Sequence, residues 1–134
     1  MLTALVVLVV LVALAIPTWR NHLLRVQRSE ARAALFAIQS AEDRFFGKYA
    51  RYASGLEIAA APPKGLGIRA VSERGFYDLD VHTSTDGLAF TATAHAVKKG
   101  PDEDSRCVTF SLDQNGRRRA LDADGQDRSA DCWS

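Results

Sequence analysis

The sequence predicts an α+β fold in which one long amino-terminal helix packs against an antiparallel sheet of three or four strands, with a disulfide loop at the carboxyl terminus. Three observations support this prediction: an uncharged run at residues 1–19, a helical apolar period in the residues that follow, and alternating strand patterns with turn signals after residue 76. The 134 residues are enough for one domain with one core.

The sequence predicts four parts: an apolar helix at residues 1–19, an amphipathic stem helix at 20–52, a connecting loop at 53–75, and a β-meander with a disulfide-closed terminal loop at 76–134. Residues 20–134 are expected to form one globular unit. The chain has 17 basic and 16 acidic side chains, for a net charge of +1. This balance excludes a global field that attracts nucleic acid, so an electrostatic partner would need a local patch.

The opening segment is long enough to span a membrane. A hydrocarbon core of ~30 Å is crossed by about 20 helical residues. Residues 1–19 carry no charge and end at Trp19, a side chain typical of the membrane interface. A cleaved signal peptide is the alternative, but neither a preceding basic region nor a small-residue cleavage site is visible. The side chains predicted to face lipid are Leu5, Val6, Leu8, Val9, Leu11, Val12, Leu14 and Ile16.

Apolar residues then recur every seven positions, which is the period of an amphipathic helix. The residues predicted to pack on the sheet are Leu24, Ala31, Leu35, Ile38, Ala41 and Phe45. The predicted polar face consists of Arg25, Arg28, Arg32, Gln39, Glu42 and Asp43. Pro17 has no backbone N–H and clashes with the carbonyl four residues earlier, so we expect a helix kink or local loosening there.

The second half of the chain predicts a loop and a meander. Residues 53–75 contain Pro62, Pro63 and several glycines, which favours an irregular loop with one short helix. Strands are predicted at residues 76–83, 88–97, 107–112 and 117–121. If Asp86 and Gly87 form a two-residue turn, residue 78 pairs with residue 95 and residue 82 with residue 91. Asn115-Gly116 is the strongest hairpin signal in the chain.

The two cysteines, Cys107 and Cys132, lie in a turn-rich region without Cys-x-x-Cys spacing. This pattern predicts one structural disulfide, which contributes roughly 3 to 4 kcal/mol and needs an oxidising compartment such as a periplasm. Two free thiols in a cytosolic domain are the alternative. The arginines at positions 20, 25, 28 and 32 instead favour a cytoplasmic carboxyl side by the positive-inside rule. We give the cysteines more weight, because a basic segment before Met1 could reverse that comparison.

Four stretches of the helical region carry a family likeness: AIPTW at 15–19, RSEARAAL at 28–35, EDRFF at 42–46 and YARY at 49–52. Together with Cys107 and the closing Cys132-Trp133, they resemble the type IV pilin family, most closely small minor pilins of the PilE type. Family members also carry a basic leader and a glutamate near the mature amino terminus. Alignment on Pro17 places that glutamate immediately before Met1, so we expect the natural chain to start upstream.

The resemblance implies a structural subunit that is anchored in the bacterial inner membrane, has a periplasmic carboxyl-terminal domain and later enters an extracellular pilus. The lipid-facing residues listed above would then also line the filament core. The implied partners are other pilin subunits, the pilus assembly machinery and, before assembly, inner-membrane lipid. The implied roles are pilus assembly, adhesion or twitching motility. No catalysis, cofactor, metal or small-molecule substrate is expected.

Other hypotheses stay open: a pilus-associated receptor for DNA or a surface ligand, a type II secretion pseudopilin, and a small membrane-anchored enzyme. The nucleic-acid hypothesis depends on Arg117, Arg118 and Arg119, with Lys98 and Lys99 in a neighbouring loop. Strand alternation allows at most two of three successive arginines to share a face. A solvated edge that discourages strand pairing is therefore the preferred interpretation, with DNA binding as the alternative.

No pattern nominates a catalytic or metal site. His22 is isolated, and in the predicted register His82 and His95 lie roughly 13 Å apart, too far to share a metal. Asp78 would face His95 as a structural cross-strand pair. The carboxylates Asp122, Asp124 and Asp127 resemble a calcium loop but lack the regular spacing and terminal glutamate of an EF-hand. We expect a solvated acidic turn, with calcium as the alternative.

Overall fold

The computed structural model describes residues 1–97 and 104–134 and confirms the predicted α+β fold. In chain order, its helices and strands are α1 Leu2–Tyr49, a 3-10 turn Gly55–Glu57, β1 Tyr77–Thr83, β2 Phe90–Ala96, β3 Thr109–Asp113, β4 Arg118–Leu121 and α2 Ser129–Cys132. The last of these is a single helical turn inside the terminal segment that the sequence predicts as loop.

Helix α1 has 48 residues and is therefore about 72 Å long at ~1.5 Å per residue. It continues through Pro17 without interruption. Just beyond Pro17, the Thr18 hydroxyl donates to the Leu14 carbonyl at 3.3 Å. The helix ends at Ala50, which adopts a left-handed conformation with φ of 55° and donates its N–H to the Phe46 carbonyl. This cap turns the chain from the stem into the connecting loop.

The four strands form an antiparallel sheet in the order β1-β2-β3-β4, so each strand pairs with the next one in the chain. Asp78 faces His95 and His82 faces Thr91, which confirms the predicted register of the first hairpin. In the second hairpin, Gly116 has φ of 75° and donates its N–H to the Asp113 carbonyl. The Asn115-Gly116 turn therefore lies where its sequence predicts.

The main core lies between the middle of α1 and one face of the sheet. Ala31, Leu35 and Ile38 of the helix are fully buried in this cluster. The sheet contributes the largest buried side chains to it, namely Tyr77, Phe90, Phe110 and Leu112. Burying apolar side chains of this size is worth about 1.5–3 kcal/mol each, so this layer stabilises the globular unit of residues 20–134, which we call the head.

At the two ends of the stem the structure differs from the sequence-based expectation. Ala41 and Phe45 pack in a second cluster with the loop residues Ala53 and Leu66 rather than in the sheet cluster, and Leu24 is only half-buried. The physical reason is length, because the helix extends beyond both ends of strands that are only 4 to 7 residues long. Past Ile38, the connecting loop covers the helix instead.

The connecting loop is folded tightly on itself. Leu66 donates its backbone N–H to the Glu57 carbonyl, and Ile68 donates to the Ile58 carbonyl. Gly65 directly precedes Leu66, and a Cβ atom there would be 2.1 Å from the Glu57 carbonyl oxygen. No side chain fits at that distance, so the loop requires glycine at this position.

Candidate functional site

The apolar rod, residues 2–19 of α1, carries most of the exposed large hydrophobic side chains among the described residues. Every large hydrophobic side chain of the rod is at least half exposed, from Leu2 at 84% to Val10 at 51%. The predicted lipid-facing residues are all in this set: Leu5, Val6, Leu8, Val9, Leu11, Val12, Leu14 and Ile16. An apolar surface of this extent marks a site of contact with lipid or with another protein.

By length and composition, this helix is apolar enough to cross a membrane, with a mean hydropathy of 2.6 over its most apolar window. None of that window is buried inside the protein. A core helix of a soluble domain would be mostly covered by its own chain, which the rod is not. Trp19 is also exposed and stacks obliquely near His22, with ring centroids 6.4 Å apart.

The terminal segment is held to the head by one covalent bond and several polar contacts. Cys107 and Cys132 form a disulfide with a Cα–Cα distance of 5.8 Å, and both cysteines are buried. The indole N–H of Trp133 donates to the Arg119 carbonyl at 2.9 Å. Arg32 of the stem donates to the Ser134 carbonyl at 2.7 Å. The last three residues are therefore fixed against both strand β4 and helix α1.

The predicted arginine patch does not form one surface. Ala120 of β4 is buried in the core, so strand alternation places Arg118 on the helix side of the sheet and Arg119 on the outer side. The Arg118 guanidinium lies 5.0 Å from the ring centroid of Phe36 and 5.7 Å from that of Trp133. Arg119 forms a loose ion pair with Asp127 at 3.9 Å. All three arginines are exposed, whereas Lys98 and Lys99 lie outside the described residues.

The acidic loop has its carboxylates engaged within the chain. Asp122 accepts the backbone N–H groups of Asp124 and Gln126 and pairs with Arg128 at 3.0 Å. These contacts lower the pKa of Asp122, chiefly through the bond from Gln126. In residues 1–97 and 104–134, no group of three or more potential ligand side chains could hold a metal ion. The geometry is that of a hydrogen-bonded turn.

The strand histidines are not brought together. His82 and His95 lie at opposite ends of the β1–β2 pairing on the exposed side of the sheet. His95 Nδ1 is 2.8 Å from the Thr109 hydroxyl of the next strand, a cross-strand contact on the sheet surface. His22 lies on the helix beside Trp19.

The stem contains a buried carboxylate that its apolar period does not predict. Glu42, predicted on the polar face, has 0% of its surface exposed. Its Oε2 accepts the Ala53 N–H at 2.9 Å, and its Oε1 has no hydrogen-bond partner. Burial, with a smaller contribution from the nearby carboxylates Asp43 and Glu57, raises the pKa of Glu42 to about 7. The loop that follows α1 folds over this face of the helix, and the apolar period alone does not predict that.

The predicted polar face of the stem contains a second contact that the sequence does not predict. Arg28 donates from Nε to Asp104 Oδ2 at 2.5 Å and from Nη2 to Oδ1 at 3.0 Å. Only 3% of the Asp104 side chain is exposed. Asp104 also accepts the backbone N–H groups of Arg106 and Cys107. This bidentate pair therefore joins the stem to the start of the disulfide segment.

A groove of about 460 Å³ lies between the stem and the loop that precedes β1. Small helix side chains, Ser29, Ala33 and Ala37, form one wall, and residues 67–74 form the other. Glu30 closes part of the groove by accepting the Arg74 N–H. The two serines of its lining are engaged with the backbone, since the Ser29 hydroxyl donates to the Val26 carbonyl and the Ser72 hydroxyl accepts the Tyr77 N–H.

The chain combines an exposed apolar rod, a stem buried against a four-stranded antiparallel meander, and a disulfide-fixed carboxyl terminus. This combination defines a type IV pilin. A similar solved structure is titled "High-Resolution Structure of a Type IV Pilin from Shewanella oneidensis". The two chains superpose with a TM-score of 0.55 at 21% identity, covering 83% of this chain and 98% of the other. At this identity the likeness concerns the fold.

The particular family follows from the sequence itself. Residues 17–111 match the family described as "Type IV minor pilin ComP, DNA uptake sequence receptor". This match covers more than half of the chain, so the protein belongs to that family and is a minor pilin subunit of a type IV pilus. No curated protein matches the chain.

Proposed function

We propose that this minor pilin is anchored in the inner membrane by its apolar rod before assembly, with the head in the periplasm, and that the rod later packs among the helices of other pilins. The observation that carries this proposal is the rod, whose side chains find no cover within the chain. The Cys107–Cys132 disulfide supports a head in an oxidising compartment.

The physical basis is that lipid and a bundle of apolar helices are similar surroundings for the rod. About 1,000 Å² of apolar surface is worth ~25 kcal/mol against water, so release into solvent is prohibitive. Transfer from lipid to other apolar helices leaves most of this free energy unchanged. Assembly therefore needs partner subunits and machinery that offer an apolar surface, and no chemistry by the subunit itself.

Protease protection of the full chain in its own cells tests this orientation. With the outer membrane permeabilised and the inner membrane intact, we expect added protease to digest the head, while a cytoplasmic marker survives. A head that is digested only after the inner membrane is lysed would contradict the proposal. A chain found entirely in the soluble fraction, without detergent, would contradict the anchor.

As a second function, we propose that this subunit binds duplex DNA. The family to which it belongs is described as a DNA uptake sequence receptor. The chain offers three successive exposed arginines at and just before strand β4, beside the disulfide-fixed terminus. Guanidinium groups that contact phosphates supply affinity that falls steeply with salt.

Fluorescence anisotropy with the full chain in detergent micelles tests DNA binding. We expect salt-dependent binding of short duplexes that is lost when Arg117, Arg118 and Arg119 are all changed to Gln. The control is Arg44→Gln, an exposed arginine of the stem that lies eight positions beyond Phe36, the helix residue that Arg118 contacts. Absence of binding by the unchanged protein, both to a random duplex pool and to genomic fragments, would contradict this function.

A further inference from the structure

The three successive arginines differ in their surroundings, and this difference divides their roles. Arg118 is on the helix side of the sheet, in line with the buried Ala120, whereas alternation places Arg119 on the outer side, and Arg117 is exposed immediately before the strand. On the outer side of the neighbouring strand, Ser111 faces Arg119 in the pairing, and Asp113 lies beside Arg117 and accepts its backbone N–H at 2.9 Å. A hydroxyl beside a guanidinium is a usual pair of donors to a phosphate.

The Arg118 guanidinium covers a chain of aromatic rings that leads into the core. Trp133 packs edge-on against Phe110 and against Phe36, with ring centroids 5.8 Å apart in both pairs. Phe110 is fully buried, and Phe36 is partly exposed. Arg118 lies over both outer rings at 5.0 and 5.7 Å, within the range of cation–π attraction.

The covered tryptophan in turn holds the backbone of the arginine strand. Its indole N–H donates to the carbonyl of Arg119, the residue whose side chain points outward. Trp133 is itself fixed by the neighbouring disulfide at Cys132. Arg118, Trp133 and the Arg119 carbonyl therefore form one brace behind the outer face of β4.

The arginines of the outer face lie at the β4 edge, each with a carboxylate nearby, Asp113 beside Arg117 and Asp127 at 3.9 Å from Arg119. Asp78 and Asp80 lie exposed on β1, at the opposite edge of the sheet, and Asp80 is linked through Thr93 and Ser111 to Arg119 in one cross-strand row. Three strand spacings separate the ends of this row, about 14 Å. A polyanion would therefore find its guanidinium donors at the β4 end of this row.

We propose that a duplex lies along strand β4, that Arg117 and Arg119 contact its phosphates, and that Arg118 is a positioning residue that braces the strand without contacting DNA. This inference rests on the proposed DNA-binding function and specifies its site. It predicts that substitutions of the three arginines differ in kind. Replacing an arginine that contacts a phosphate changes the number of counterions released on binding, whereas replacing an arginine that only braces the strand does not.

The salt dependence of binding separates the two roles, measured with the full chain in detergent. Arg117→Gln and Arg119→Gln should each reduce the slope of log K against log salt by about 0.9. Arg118→Ala should weaken binding by about 2- to 30-fold, the range of a lost cation–π contact, with the slope unchanged. Arg118→Met, which covers the rings without a charge, should restore most of the affinity. Arg44→Gln is the control and should leave affinity and slope unchanged.

Indole hydrogen exchange provides a readout that needs no DNA. Arg118→Ala should speed exchange of the Trp133 N–H, while Arg119→Gln, which keeps the backbone carbonyl, should not. A slope reduced by about 0.9 in Arg118→Met would overturn the proposal, because it would make Arg118 a phosphate ligand. Unchanged indole exchange in Arg118→Ala would overturn the brace. If the protein without substitutions binds no DNA, the proposed function and the phosphate contacts are refuted. The exchange result would still show whether Arg118 braces the strand.

Discussion

The two halves of helix α1 have the same backbone conformation and opposite surroundings. Leu35 in the stem has 0% of its surface exposed, and Leu8 in the rod has 62% exposed. The stem is stabilised by its own head, whereas the rod has the composition of a buried helix and no cover of its own. The apolar surface of one helix is thus covered by its own chain in the stem and left exposed to other molecules in the rod.

The largest expected effect comes from a matched pair of leucine substitutions. Leu35→Ala should lower the free energy of unfolding of the head by about 3–5 kcal/mol, because it leaves a cavity in a fully buried site. Leu8→Ala should change it by no more than about 0.5 kcal/mol. Denaturant unfolding of the full chain in detergent measures both. Equal losses would show that the rod packs into its own head and would break the comparison.

Removal of the disulfide should affect the head and leave the rod unchanged. Changing Cys107 and Cys132 together to Ser should lower head stability by roughly 3 to 4 kcal/mol, since the unfolded chain regains the freedom of the open loop. The helical circular dichroism of the rod in detergent should persist after the head has unfolded. Adding a reductant should destabilise the unchanged protein and leave the double variant as it was. A variant as stable as the unchanged protein would contradict a structural disulfide.

Glu42 gives the stem a pH dependence that the rod cannot have. Burial raises its folded pKa from the usual 4.5 to about 7, so between these values the folded state binds a proton that the unfolded state has released. Stability therefore falls as pH rises through this window, by about 3 kcal/mol, and the loss stays constant above it. Glu42→Gln should remove this loss and be the more stable protein at pH 8.

Thermal melts at a series of pH values between 4.5 and 8 test this prediction. The control is Asp43→Asn, which changes the exposed neighbouring carboxylate and should keep most of the pH dependence. If Glu42→Gln and the unchanged protein show parallel stability curves across this range, Glu42 does not titrate within it.

The smallest effect is expected at the outer face of β4. Arg119 and Asp127 are 61% and 58% exposed and 3.9 Å apart, so Arg119→Ala should cost at most about 0.5 kcal/mol of head stability. Differential scanning calorimetry checks this value. A loss above about 1 kcal/mol would mean that Arg119 is a structural residue, and its effect on DNA binding could then not be assigned to phosphate contact.

Much of the fold is predictable from local pattern. The period of seven in the stem predicts burial of Ala31, Leu35 and Ile38, and the Asp86-Gly87 turn predicts the pairing of Asp78 with His95. The predicted strands differ from the observed ones by one or two residues at most ends. These features follow from helical and strand periodicity and from turn chemistry, which act between residues close in the chain.

The contacts of the polar side chains are not predictable in this way. The helical period predicts that Glu42 and Arg28 are solvated. In the structure, Glu42 lies under the loop at Ala53, and Arg28 pairs with Asp104, 76 positions away. The three arginines read as one basic run, yet Arg118 lies against two aromatic rings that reach it from the stem and the terminus. No spacing rule connects these partners.

The sequence by itself determined the rod, the meander and the cysteine pair, because hydrophobicity, alternation and turn preference are properties of short segments. Only the tertiary structure decided which charges are buried and which face outward, because burial depends on where a distant loop or terminus comes to rest. Neither the sequence nor the tertiary structure determines what surrounds the rod, since the described part of the chain does not cover it.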